Sequence, residues 1–136
     1  MSTLDSAAAR EYVREERADV VAAVATCADA VADSWDRDWT DDASDVADRL
    51  EACLSENGVL GVLPGVLADA ADAAGGELQA APVAAPPYVV VTSRGPMLRA
   101  TLDAGRLVVR FDVFRVTDDG RYERAADESP AVVDVR

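Results

Sequence analysis

The apolar residues of this chain change period at a proline-rich stretch, and that change divides it into a helical and a β half. Before residue 76 apolar positions recur at spacings of three, four and seven; from Tyr88 on they alternate or run as β-branched clusters. Between the two, residues 76–87 carry Pro82, Pro86 and Pro87 among alanines. Proline lacks the amide donor that a helix interior or a central strand needs, so this stretch reads as an extended connector.

The helical half, residues 1–75, predicts three helices. Ser2-Thr3-Leu4-Asp5 suits a capping box, and helix-favouring residues run from there to about Ser34. Val13, Val20, Val24, Cys27, Val31 and Trp35 form its apolar seam. Residues 35–40 are a polar loop holding Trp35 and Trp39, expected to close the end of a helical hairpin. A second helix starts near Thr40 to Asp42, where aspartates suit the positive helix end. Ala43, Val46, Ala47, Leu50, Cys53 and Leu54 make its buried stripe, and Asn57-Gly58 supplies a left-handed stop. The short connection makes these two helices antiparallel neighbours. A third, short helix has Pro64 in its first turn, a stripe of Leu63, Val66, Leu67, Ala70 and Ala74, and an end at Gly75-Gly76.

Residues 88–136 read as an antiparallel meander of four to five strands. Tyr88–Thr92, Met97–Leu102, Leu107–Val116, Arg121–Arg124 and an edge strand Ala131–Val135 are joined at hairpin distance. A four-residue loop at 103–106 sets Leu102 opposite Leu107 and Leu98 opposite Phe111, which gathers one apolar face; it also brings Arg99 beside Arg110 on the other. A three-residue turn at 118–120 pairs Val116 with Tyr122, Phe114 with Arg124 and Arg115 with Glu123. The expected class is therefore α+β in a single domain over residues 1–136. The helices lie on one face of the sheet, and the other face carries Val108, Phe114, Val116 and Tyr122 with Arg99, Arg110 and Arg124.

Charge bounds the partners. There are 26 acidic and 13 basic residues, a net charge of −13 and a pI near 4.2. Every basic residue is Arg; there is no Lys, His or Ile, and Asp outnumbers Glu. This composition resembles that of proteins from extreme halophiles. Dense surface carboxylates hold water and cations in multimolar salt, where the Debye length falls to about 3 Å. Residues 1–58 carry 15 acids and 5 arginines, whereas residues 88–136 carry 8 of each. An acidic balance argues against nucleic acid and anionic membrane as partners. No run of 18 apolar residues suggests a membrane span, and the acids among the first 30 residues are unlike a signal peptide. A cytoplasmic location is expected, with Cys27 and Cys53 as packed free thiols, although two positions on facing helices also allow a disulfide.

Catalytic signatures are absent from the sequence. Without His there is no His-based triad or His metal ligand. Asp36, Asp38, Asp41, Asp42 and Asp45 fail the EF-hand spacing, because Asp41 stands where Gly is required and Ala47 where Glu is required. Gly58, Gly61 and Gly65 lack the Lys of a phosphate loop. No cofactor or metal is expected. The candidate binding residues are Arg94, Arg99, Arg110, Phe114 and Tyr122. Paired arginines repel unless an anion or acidic partner lies between them, and Thr92-Ser93-Arg94-Gly95 could form an anion nest. Neutralisation by Asp112 and Asp103 is the ordinary alternative. Two functions follow as expectations. One is a non-catalytic interaction or regulatory module, homo-oligomeric or bound to another acidic protein. The other is a binder of a small anion, or an enzyme acting on one, with Asp112 as acid or base.

Overall fold

Asp5 starts the helical half in the computed structural model, which describes residues 3–125 and 131–135. Its side chain accepts from the Ala8 amide at 3.0 Å, so Asp5 caps α1 (Ser6–Glu11); Ser2 of the expected capping box lies outside the described residues. The single long helix is corrected here. A π-helical turn, Tyr12–Glu16, follows α1, and the chain breaks at Arg17 (φ −119°, ψ 37°) before α2 (Ala18–Asp33). Around this break Tyr12 Oη donates to Asp69 Oδ2 at 3.0 Å and an Arg14 guanidinium nitrogen donates to Ala131 O at 3.0 Å. The seam itself is as expected: Val13, Val20, Val24, Cys27 and Val31 are buried, with Trp35 half-buried at its end.

The second helix, α3 (Ala43–Glu56), is capped by Asp42, which accepts from the Asp45 amide at 3.0 Å. Val46, Leu50 and Leu54 are its fully buried positions. Gly58 (φ 72°) ends it, and α4 (Val59–Ala73) leaves at 88°. Pro64 therefore stands at the sixth helical residue instead of in the first turn, where it has no amide for the Leu60 carbonyl. The end of α4 is a Schellman motif. Gly76 N donates to Ala71 O and Gly75 N to Asp72 O, both at 3.0 Å, with Gly75 at φ 81°. Among the described residues no single helix is long and apolar enough to cross a membrane.

The β half divides into two antiparallel sheets, so the fold is α+β as expected but its strands do not form one meander. The first sheet contains β2 (Val89–Thr92), β3 (Gly95–Leu102), β4 (Gly105–Phe111) and β7 (Ala131–Val135), in the order β2-β3-β4-β7. The second has β1 (Trp39–Thr40), β5 (Phe114–Val116) and β6 (Tyr122–Arg124), in the order β1-β6-β5. The chain changes sheet at Asp112-Val113: Val113 N donates to Arg94 O at 2.9 Å and to Phe111 O at 3.0 Å, and Phe114 N also donates to Arg94 O. A strand that began in the polar loop, β1, then pairs Trp39 with Glu123 and Thr40 with Tyr122.

Register was half legible. The β5–β6 pairing is the expected one, with Val116 opposite Tyr122 and Phe114 opposite Arg124. Between β3 and β4 the register slips by two residues. Leu102 meets Gly105, Ala100 meets Leu107 and Leu98 meets Val109 across a two-residue loop. A slip of two leaves every side chain on its expected face, so the apolar pattern cannot distinguish the two pairings. Leu98, Ala100, Leu102, Leu107, Val109 and Phe111 face one continuous core with Ala131 and Val133, under the helices.

Arg124 ties the second sheet to α2 in place of facing solvent. Its Nε donates to Asp29 Oδ1 at 2.8 Å, one terminal nitrogen to the carbonyls of Val113 and Ala125, and the other to Ala25 O at 3.3 Å. Replacing it by Met strands these acceptors in a part-buried setting. Arg124→Met is expected to lose about 2–3 kcal/mol of stability in urea titrations.

Cys27 adds an alkaline limit. Burial first, then the neighbouring Cys53 thiol, push its thiol up to about 12 from an ordinary 9.0. A group whose folded-state pKa is raised binds its proton more tightly in the native state, so its contribution is full below pH 9 and is lost as pH rises toward 12. The urea midpoint should fall over that range, and Cys27→Ala should flatten the fall.

Candidate interaction surface

The face of the four-stranded sheet opposite the helices is built from rows that run across neighbouring strands. Val90, Met97, Arg110 and Val132 form one row. Arg99, Val108 and Asp134 form the next, with Tyr88 O accepting from Arg99 N at 2.9 Å, and Thr101 and Arg106 the third. Alternation along β2, β3, β4 and β7 places these residues outward because their neighbours in sequence fill the core. Val90, Met97 and Val132 are half-buried, while Val108, at the middle, is only 3% exposed.

Arg99 and Arg110 share this face, as expected, but are diagonal and not opposite: Arg99 stands against Val108 and Arg110 against Met97. Each has its own surroundings. Arg99 Nε donates to Pro87 O at 3.2 Å. One Arg110 terminal nitrogen lies 3.6 Å from Asp112 Oδ2 and 3.8 Å from Asp134 Oδ2. The expected neutralisation by Asp112 is therefore present, while Asp103 instead accepts from the Glu77 amide at 3.1 Å. Arg110 Nε is buried with no hydrogen-bond partner among the described residues.

Two cavities divide the arginines. One, of about 480 Å³, is lined by Leu78, Gln79, Tyr88, Arg99, Thr101 and Arg106 among others. The other, of about 280 Å³, brings Arg94 and Arg110 together with Thr92, Ser93, Met97 and Asp112. The nest expected at the turn is largely used internally. Thr92 Oγ1 donates to Gly95 O at 2.8 Å and accepts from the Arg94 amide at 3.2 Å, and Arg94 O accepts from Val113 and Phe114.

Phe114 and Tyr122 do not stand on this surface. Phe114 is 1% exposed, with its ring centroid 5.7 Å from that of Trp35, and Tyr122 is half-buried against the core. The chain leaves the first sheet before it reaches them, so their alternation carries on in a different plane. Trp39 does not close the helical hairpin; it lies in β1 with the guanidinium group of Arg121 3.9 Å, and that of Arg37 4.8 Å, from its ring centroid. In the acidic loop, Asp42 caps α3 and Asp45 pairs with Arg49 at 2.9 Å. Among the described residues no group of three or more Cys, Asp or Glu side chains is arranged to hold a metal ion.

Sequence reasoning passed over Met97, Val90 and Val132 as surface residues. Met97 shares the face of Arg99 by the parity of β3, whereas the alternation of β2 and β7 acquires meaning for Val90 and Val132 only once those strands are known to flank β3 and β4.

A helical layer on one side of an antiparallel sheet, with a mixed apolar and Arg–Asp face on the other, defines a two-layer α+β domain among the described residues. The chain belongs to the family described as domain of unknown function DUF7988, whose model matches residues 7–136. No curated protein and no solved structure matches it.

Proposed function

We propose that this domain is a non-catalytic protein-interaction module of a salt-rich cytoplasm, joining a second copy of itself through the outer face of the four-stranded sheet. The observation that carries the reading is the row Val90, Met97, Arg110 and Val132, in which three apolar side chains on the face opposite the core are only half-buried. Packing two such faces removes apolar area from water at about 25 cal/mol per Å². Charge favours the same surface. A chain of net charge −13 repels its copies, and the repulsion is least where Arg94, Arg99, Arg106 and Arg110 gather against Asp112 and Asp134. Multimolar salt screens what remains.

Met97 reports on burial of this face directly. Its oxidation by peroxide, followed by peptide mass in multimolar salt, is expected to slow several-fold as protein concentration rises. A rate independent of concentration over the whole soluble range would count against association through this face.

A second reading rests on the smaller cavity, whose lining includes both Arg94 and Arg110. A small carboxylate or phosphate bound between Arg94 and Arg110 would pair with their guanidinium groups, with Asp112 as the adjacent acid or base. A thermal-shift series with inorganic phosphate and short carboxylic acids tests this; the shift should appear with the wild type and vanish in Arg110→Gln.

A further inference from the structure

The chain has two cysteines, and the fold brings them together. Cys27 lies on α2, 3% exposed, and Cys53 on α3, half-buried; both are free thiols. Asn57, the C-cap of α3, holds its Nδ2 3.9 Å from Cys27 Sγ and 3.5 Å from Cys53 Sγ, while donating to Cys53 O at 2.8 Å. One amide nitrogen within reach of both sulfurs places the two thiols side by side at the seam between α2 and α3. They differ in access. Cys53 lines a shallow depression of about 200 Å³ with Ala30, Ser34, Arg49 and Glu56, whereas Cys27 faces the core.

We propose that Cys27 and Cys53 are a redox-active dithiol that low-molecular-weight disulfides convert to an intramolecular disulfide tying α2 to α3. The more accessible Cys53, as its thiolate, attacks one sulfur of the small disulfide, whose S–S bond breaks; one small thiolate leaves and takes up a proton. The Cys27 thiol then gives its proton to solvent and attacks Cys53 Sγ in the mixed disulfide, expelling the second small thiolate. Two electrons pass from the protein dithiol to the small disulfide, which ends as two thiols. Access sets the order: Cys53 attacks and Cys27 resolves. Burial and the Cys53 thiol hold the Cys27 proton tightly, and conversion of Cys53 to a mixed disulfide removes the second of these restraints.

The test uses the full chain in multimolar salt with 2-hydroxyethyl disulfide, a neutral probe that the acidic surface does not repel. The wild type is expected to lose both titratable thiols and two hydrogens in mass, and to yield one linked peptide pair containing residues 27 and 53. Cys27→Ser should accumulate a stable mixed disulfide on Cys53, and Cys53→Ser should react about tenfold more slowly or less. A wild type that stops at the mixed disulfide, or that cross-links between chains, overturns the proposal. The wild-type peptide map decides the matter even if either variant folds poorly.

Discussion

Gly95→Ala is expected to cost about 4 kcal/mol or more, enough to remove most of the stability of a domain of this size. A Cβ at position 95 would overlap Phe111 O and meet the Val113 side chain at 3.2 Å. The obstructing atom is backbone in β4, which is held by β3 on one side and β7 on the other, so it cannot move aside alone. Gly95 also sits at φ 144°, a conformation that other residues rarely adopt. The close approach has a purpose in the fold. It lets Arg94 O take the amides of Val113 and Phe114, which is where the chain leaves one sheet for the other. Urea titration in multimolar salt measures the loss; a change below about 1 kcal/mol would mean that β3 and β4 do not approach as described.

Phe114→Ala is expected to cost about 3–5 kcal/mol. The side chain is 1% exposed and packs on Trp35, so truncation opens a cavity between α2 and the second sheet. The same residue distinguishes two pictures of the β half. Were Phe114 on an open sheet face, its truncation would leave stability nearly unchanged and weaken association instead. In the structure described here stability falls first. A thermal midpoint within a degree or two of the wild type would contradict the buried placement.

The sequence made the helical seams legible because each helix has one apolar stripe against one core. Val13 to Val31 and Val46 to Leu54 needed no knowledge of what covered them. The break at Arg17 was hidden because no Pro or Gly marks it, and a π-helical turn has no side-chain signature of its own. In the β half, alternation determines which face a residue occupies and leaves its partner open by multiples of two, hence the slip between Leu98 and its expected partner Phe111. The change of sheet did leave a trace. Val113 and Phe114 are adjacent, both apolar and both buried, which a single regular strand with one solvent face does not allow. β1 has two residues and therefore no period to read.

The outer surface was legible through Arg99 and Arg110, whose shared face follows from parity alone. Its apolar part was not, because Val132 becomes a neighbour of Arg110 only through pairing of distant strands. Phe114 was assigned to this surface by extending β4 past the point where the chain turns away.

Association through the open sheet face is measured most directly by light scattering in multimolar salt on the wild type and on Met97→Glu. A carboxylate in place of the Met97 side chain, beside Arg110, keeps its water on an open face and loses both that water and the apolar contact in a packed one. The wild type should approach twice the chain mass of 14.3 kDa as concentration rises, and Met97→Glu should remain at 14.3 kDa with an unchanged circular dichroism spectrum. A wild type that stays at 14.3 kDa throughout, or a variant that keeps the doubled mass, would contradict the account.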